Sequence, residues 1–191
     1  MRSLDANVPR RNVVEAYVHY DATKKKNRLL DFAGCDWDDP NCLDSVLRRA
    51  KYKCGIIAGF SVWSYVEISL DDLRDCAVVA ALSNKLKGPR DLRGLETKGC
   101  LHNWKPDIQT TYFERVEHGD TFGPGEPFIL CPSVQSELPA KWYIEDGSGR
   151  ATALVANAAK YVVKPVVGYG YLGIRADQTS TFMKQRYADL V

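Results

Sequence analysis

The sequence is poor in the residues that build metal centres and in long apolar runs. It has three histidines, His19, His102 and His118, far apart and none at the spacing of a metal-ligand pair. Its six cysteines, at positions 35, 42, 54, 76, 100 and 131, include no Cys-x-x-Cys pair, which argues against a zinc ribbon or a thioredoxin-type redox motif. Cys54 and Cys131 stand in apolar or β-rich contexts and read as buried thiols of a reducing cytosol. Cys35 and Cys42 would pair only in an exported protein, and the start of the chain lacks the pattern of a secretory leader. No stretch reaches the ~18 to 20 apolar residues that span a bilayer. The best, residues 54–66, is broken by Gly59, two serines and Tyr65. The expectation is a soluble, cytoplasmic protein without a membrane span.

Neither sign of charge dominates. The net charge of +2 by itself argues neither for nor against a nucleic-acid partner. Residues 1–63 carry a balance of +3, concentrated in Lys24, Lys25, Lys26 and Arg28 and again in Arg48, Arg49, Lys51 and Lys53. These clusters can contact a phosphate backbone, with Tyr52 stacking on a base. They also fit a solvated loop and the basic end of a helix. The 191 residues and 45% apolar content suffice for a packed core. No serine- or proline-rich linker separates residues 1–63 from the rest, so they read as an N-terminal extension packed on a domain of residues 64–191.

Val13 to Tyr20 has strand character, residues 41–50 look helical, and residues 54–68 read as one or two strands. Ser69 with Asp72 forms a capping box opening a short helix. Residues 75–86 suggest a helix, 87–105 a glycine-punctuated loop, and 107–118 a helix ended by Gly119. A glycine and proline loop at 123–127 then feeds the strand Phe128-Ile129-Leu130-Cys131, and Val162 to Val167 reads as a late strand.

The most informative stretch is residues 142–154. A β-rich run ends in Glu145 and Asp146, a turn Gly147-Ser148-Gly149 follows, and Arg150 opens a helix that contains Thr152. Glycines let a backbone approach an anion, a helix start offers free N–H groups and a positive pole, and an arginine adds a two-pronged donor. The same residues also make an ordinary strand-to-helix turn in which Arg150 pairs with Glu145 or Asp146 on the surface.

In order and spacing, residues 64 to 175 resemble the ParB/sulfiredoxin superfamily. Pro127-Phe128-Ile129-Leu130 matches its loop and strand, and Asp146-Gly147-Ser148-Gly149-Arg150 with Ala153 matches its signature turn. Sulfiredoxin-type and serine-kinase-type members carry histidine where Gly149 stands, and sulfiredoxin's cysteine is replaced by Ser148, so imidazole and sulfinic-acid chemistry are not expected. The resemblance implies an α/β mixed sheet with flanking helices that binds ATP or another nucleoside triphosphate through Gly147, Ser148, Gly149, Arg150 and Thr152. It further implies a magnesium ion held by Glu126 and Asp146, and hydrolysis served by Glu126, Glu145, Asp146 and Arg150. Size and architecture are similar to the plasmid fertility-inhibition type of this superfamily. That likeness implies ATPase and DNase activity, DNA on Lys24, Lys25, Lys26, Arg48, Arg49 and Lys51, and a protein partner in a DNA-transfer machinery. A small-molecule kinase and a non-catalytic phosphate-binding module stand beside it. Gly168-Tyr169-Gly170-Tyr171-Leu172-Gly173 fits a dinucleotide fingerprint, but too little chain follows for the rest of that unit, and a tyrosine-rich strand end is the better reading. The run Asp36 to Asn41 is rich in oxygens, yet Pro40 and the lack of a closing glutamate favour a turn over a calcium loop.

Overall fold

A computed structural model describes residues 1–23, 36, 39, 41, 53–123, 125–133, 140–161 and 166–188. The basic clusters at Lys24, Lys25, Lys26 and Arg28 and at Arg48, Arg49 and Lys51 lie outside the described residues. So do nearly all of the expected helix at 41–50 and residues 162–165 of the late strand.

The protein is mixed α/β, with helices on both faces of one six-stranded mixed sheet. The strands are β1 (Arg2–Val8), β2 (Phe60–Ser69), β3 (Cys76–Ala77), β4 (Phe128–Pro132), β5 (Trp142–Asp146) and β6 (Val166–Ala176), in the spatial order β1-β2-β6-β4-β5-β3. Neighbours β1/β2, β2/β6 and β4/β5 run antiparallel, and β6/β4 and β5/β3 run parallel. The N-terminal segment therefore adds an edge strand, and position 63 falls inside β2 rather than at a boundary.

The helices are α1 (Arg10–Thr23), α2 (Lys53–Ala58), α3 (Leu70–Arg74), α4 (Ala80–Leu86), α5 (Leu92–Thr97), α6 (Pro106–Glu117), α7 (Ser148–Ala156) and α8 (Thr181–Arg186), with a 3-10 turn at Cys100–Asn103. Among the described residues no helix is long and apolar enough to cross a membrane. One core joins Leu73, Leu82, Leu95, Val116 and Leu154 of α3 to α7 to Ile68, Phe128, Leu130 and Ile144 of the sheet. The other joins Val13, Val14 and Tyr17 of α1, Ile57 of α2 and Met183 of α8 to Trp63, Ile129 and Cys131.

Residues 13–20 are helical, not a strand. Val13, Val14, Tyr17 and Tyr20 are all buried, and their spacing lies along one helical face. Their β-branched and aromatic character is overridden by that packing. Residues 53–58 are likewise helical where strand was expected, and the helix expected from 75 to 86 is shortened to α4, with β3 before it. The supposed loop at 87–105 holds α5, whose N-cap Asp91 accepts from the Gly94 amide at 2.6 Å. The capping box forms as read: Ser69 Oγ accepts from the Asp72 amide at 3.2 Å and Asp72 Oδ2 accepts from the Ser69 amide at 2.9 Å. The glycine-tyrosine run lies within β6 and opens no helix. A Cβ at Gly170 would come 2.4 Å from the Phe128 carbonyl oxygen, so the glycine lets β4 and β6 close on each other.

A buried ion pair fastens the second core. Arg10 at the start of α1 meets Asp177, just past β6, at 2.7 Å, and donates to the Ala58 carbonyl at 3.0 Å. Burial alone would raise the Asp177 pKa. The Thr179 hydroxyl and amide and the Arg10 charge outweigh it and hold the carboxyl below its ordinary value. A depressed carboxyl contributes stability above its ordinary pKa and loses it as the pH falls through the depressed one. Asp177→Asn should thus cost about 3 kcal/mol at neutral pH by stranding Arg10, and its loss relative to wild type should shrink below about pH 4. Urea unfolding midpoints at pH 7 and at pH 3 measure both.

Candidate functional site

The turn between β5 and α7 is set by one backbone angle. Gly147 has φ 99°, and a Cβ there would also come 2.5 Å from Phe128 Cδ1, so any side chain at this position is excluded twice. The chain passes from the end of β5 straight into α7, no side chain caps that helix, and Gly147 and Gly149 are half-exposed. The first amides of α7 are thus without a side-chain cap, the kind of group that binds anions at helix starts.

The side chains expected to help them are engaged elsewhere. Ser148 Oγ donates to the Ile144 carbonyl at 3.2 Å, and the fully buried Thr152 donates to the Ser148 carbonyl at 2.8 Å. Arg150, expected as a ligand donor, is 3% exposed. Its Nη1 donates to the Glu126 carbonyl and its Nη2 to the Pro127 carbonyl at 2.9 Å, with Asp146 Oδ2 3.4 Å away. Its guanidinium carbon lies 4.8 Å from the Phe128 ring centre, 4.9 Å from Tyr20 and 5.8 Å from Phe122. A guanidinium enclosed by three rings and donating to two carbonyls is a tie between the 126–127 loop and the β5 end, not an arm reaching for a ligand.

The structure brings Glu126, Asp146 and Arg150 to one place and draws Glu145 into another. Glu126 Oε2 pairs with Arg115 at 2.9 Å, and Arg115 also holds Asp120 at 2.8 Å. The Arg115 guanidinium sits 4.5 Å from the Phe122 ring centre, which places Phe122 beside both arginines. Burial pushes the Tyr20 hydroxyl up to about 12; Arg150 opposes that rise, and Asp146 and Glu126 add to it. Tyr20 is therefore a neutral wall of this cluster. Glu145 is buried and makes itself felt instead at Cys131, Tyr143 and Tyr187.

Glu126 and Asp146 each face a guanidinium already, and among the described residues no group of three or more histidine, cysteine or acidic side chains comes together. Sequence reasoning missed Tyr20 and Phe122, which lie against Arg150, and Arg115 and Tyr112, which pack on Phe122 from α6. It also missed Trp104, whose indole Cη2 lies 3.1 Å from where a Gly149 Cβ would sit. No local spacing announces contacts between segments so distant in the chain. Comparison with protein-family models, curated proteins and solved structures finds no match.

Arg150→Ala should lower unfolding stability by about 3 kcal/mol or more, because Asp146 and two carbonyls lose their donor inside the protein. Arg150→Lys should recover little of it, since a single ammonium cannot serve all three acceptors. Denaturant midpoints for the two variants measure this.

Proposed function

We propose that this is a cytoplasmic phosphate-binding domain that holds a nucleoside triphosphate at the start of α7. The observation that carries the reading is the left-handed Gly147 turn, which delivers β5 into a helix whose first amides no side chain caps. Kinship with the ParB/sulfiredoxin superfamily belongs to the same proposal, supported by the order strand, strand, glycine turn, helix and strand from β4 to β6.

Within this proposal the binding-module form is favoured over an ATPase. Hydrolysis needs a cation that stabilises charge on the transferring phosphoryl group, and the Arg150 guanidinium is committed to Glu126, Pro127 and Asp146. Glu126 and Asp146 shape the mouth by holding Arg115 and Arg150 in place. DNA cleavage, or action within a DNA-transfer machinery, would rest on the basic clusters at 24–28 and 48–53.

Gly149→Asp places a carboxylate where the helix pole favours it and beside the Trp104 indole, which must shift by a few tenths of an ångström, and an anion at the turn is repelled. Calorimetric titration with ATP and with CTP should show saturable binding to wild type that weakens at least about tenfold in Gly149→Asp. Free phosphate should not accumulate above background. Wild type that binds neither nucleotide, or a variant that binds as well as wild type, would remove the α7 turn as the site.

A further inference from the structure

We propose a separate nucleotide site in the cavity of about 420 Å³ lined by Lys85, Leu86, Lys87, Cys100, Trp104 and Lys105. The phosphates sit among the three lysines and the base lies on the Trp104 indole. The site is built from the end of α4, the 3-10 turn and the residue before α6, and it uses neither Arg150 nor the α7 amides.

Charge is the first argument. Lys85, Lys87 and Lys105 come from two segments to line one cavity; among the described residues no acidic side chain lies in its wall, and none of the three lysines has a carboxylate at ion-pair distance. Three like charges around a concave space with no counter-charge repel one another, and an anion with several charges relieves all of them together.

Backbone strain is the second. Among the described residues, Lys87 at φ 52° and Lys105 at φ 39° are the non-glycine residues with positive φ, and both line this cavity. Lys87 occupies the left-handed end of α4, a conformation that glycine adopts without penalty. Lys105 precedes Pro106, where extended backbone is the norm. Neither lysine is placed where its backbone is comfortable. The strain concentrates on one cavity wall, as happens at ligand clamps.

The third argument is shape. Trp104 is half-exposed and offers a flat apolar face next to the cations, with the Lys105 ammonium 5.8 Å from its ring centre. A ring that stacks and a tail that carries charge are the two halves of a nucleotide, and the volume falls in the range of about 300 to 1,000 Å³ typical of small-molecule sites.

Cys100 lines the same cavity and is partly exposed, which supplies a local reporter. With the full chain, the rate of Cys100 alkylation by iodoacetamide is followed by mass spectrometry against rising ATP, tripolyphosphate or adenosine. ATP should slow it about tenfold or more, tripolyphosphate less, and adenosine hardly at all. The double variant Lys85→Gln, Lys87→Gly should lose that protection while its unfolding midpoint stays level or rises, because glycine relieves the left-handed position. Alkylation unaffected by millimolar ATP, or a double variant protected like wild type, would overturn the proposal. Tripolyphosphate protecting as well as ATP would overturn the stacking role of Trp104. Calorimetric ATP binding to wild type with Cys100 left unprotected would leave the α7 turn standing and the cavity refuted.

Discussion

A guanidinium cannot shed its charge, so burying one commits its surroundings to a fixed set of acceptors. Arg150 makes that commitment at the junction of three segments that are distant in the chain. It takes the carbonyls of Glu126 and Pro127 from the loop before β4, Asp146 from the end of β5, and the rings of Tyr20, Phe122 and Phe128. The loop, the strand pair and α7 are thereby held in one relation. An aliphatic replacement of the guanidinium would leave the Glu126 and Pro127 carbonyls without this donor and take a positive charge from beside Asp146.

This tie sets conditions on its neighbours. Phe128 must lie against the Arg150 guanidinium, and it does so only because position 147 has no side chain to displace it and Gly168 and Gly170 let β6 pass beneath it. The three glycines look like turn and nucleotide punctuation in the sequence, yet in the fold they serve one aromatic ring. Phe122 repeats the pattern one step outward. It lies 6.1 Å edge-to-face from Phe128 and beside both Arg150 and Arg115, so the cation-aromatic arrangement extends from the buried centre to the surface pair of Arg115 with Asp120.

What the sequence made legible follows the range of the interactions. The Ser69 capping box, the glycine turn into α7 and the helix from Pro106 rest on contacts within a few residues, and strands β4 and β5 announce themselves by their apolar and aromatic residues although their pairing is long-range. Helix α1 was misread because Val13, Val14, Tyr17 and Tyr20 have strand chemistry at helical spacing, and the spacing decides which face is buried. Edge strand β1 was not seen at all. Its residues Arg2 to Asn7 are exposed, so they carry no buried-face alternation, and only pairing with β2 defines them. Within the turn, the backbone role of Gly147 was legible. The burial of Arg150 was not, because it depends on Tyr20 from 130 positions upstream in the chain and on carbonyls whose direction no side-chain pattern records.

The same distinction separates the cations by type. Arg10, Arg74, Arg115 and Arg150 hold pieces of the protein together: Arg74 alone bridges Asp71 at 2.7 Å and Glu96 at 2.8 Å. The planar fork of arginine satisfies two or three acceptors at once, and its weak hydration makes removal from water tolerable. Among the described residues Lys85, Lys87 and Lys105 have no such partners and line a cavity, where an ammonium on a flexible stem can follow a ligand rather than fix a fold. An arginine at position 150 that reads as a binding residue therefore serves the fold for a chemical reason, whereas a lysine, with a single flexible ammonium, suits an anion that comes and goes.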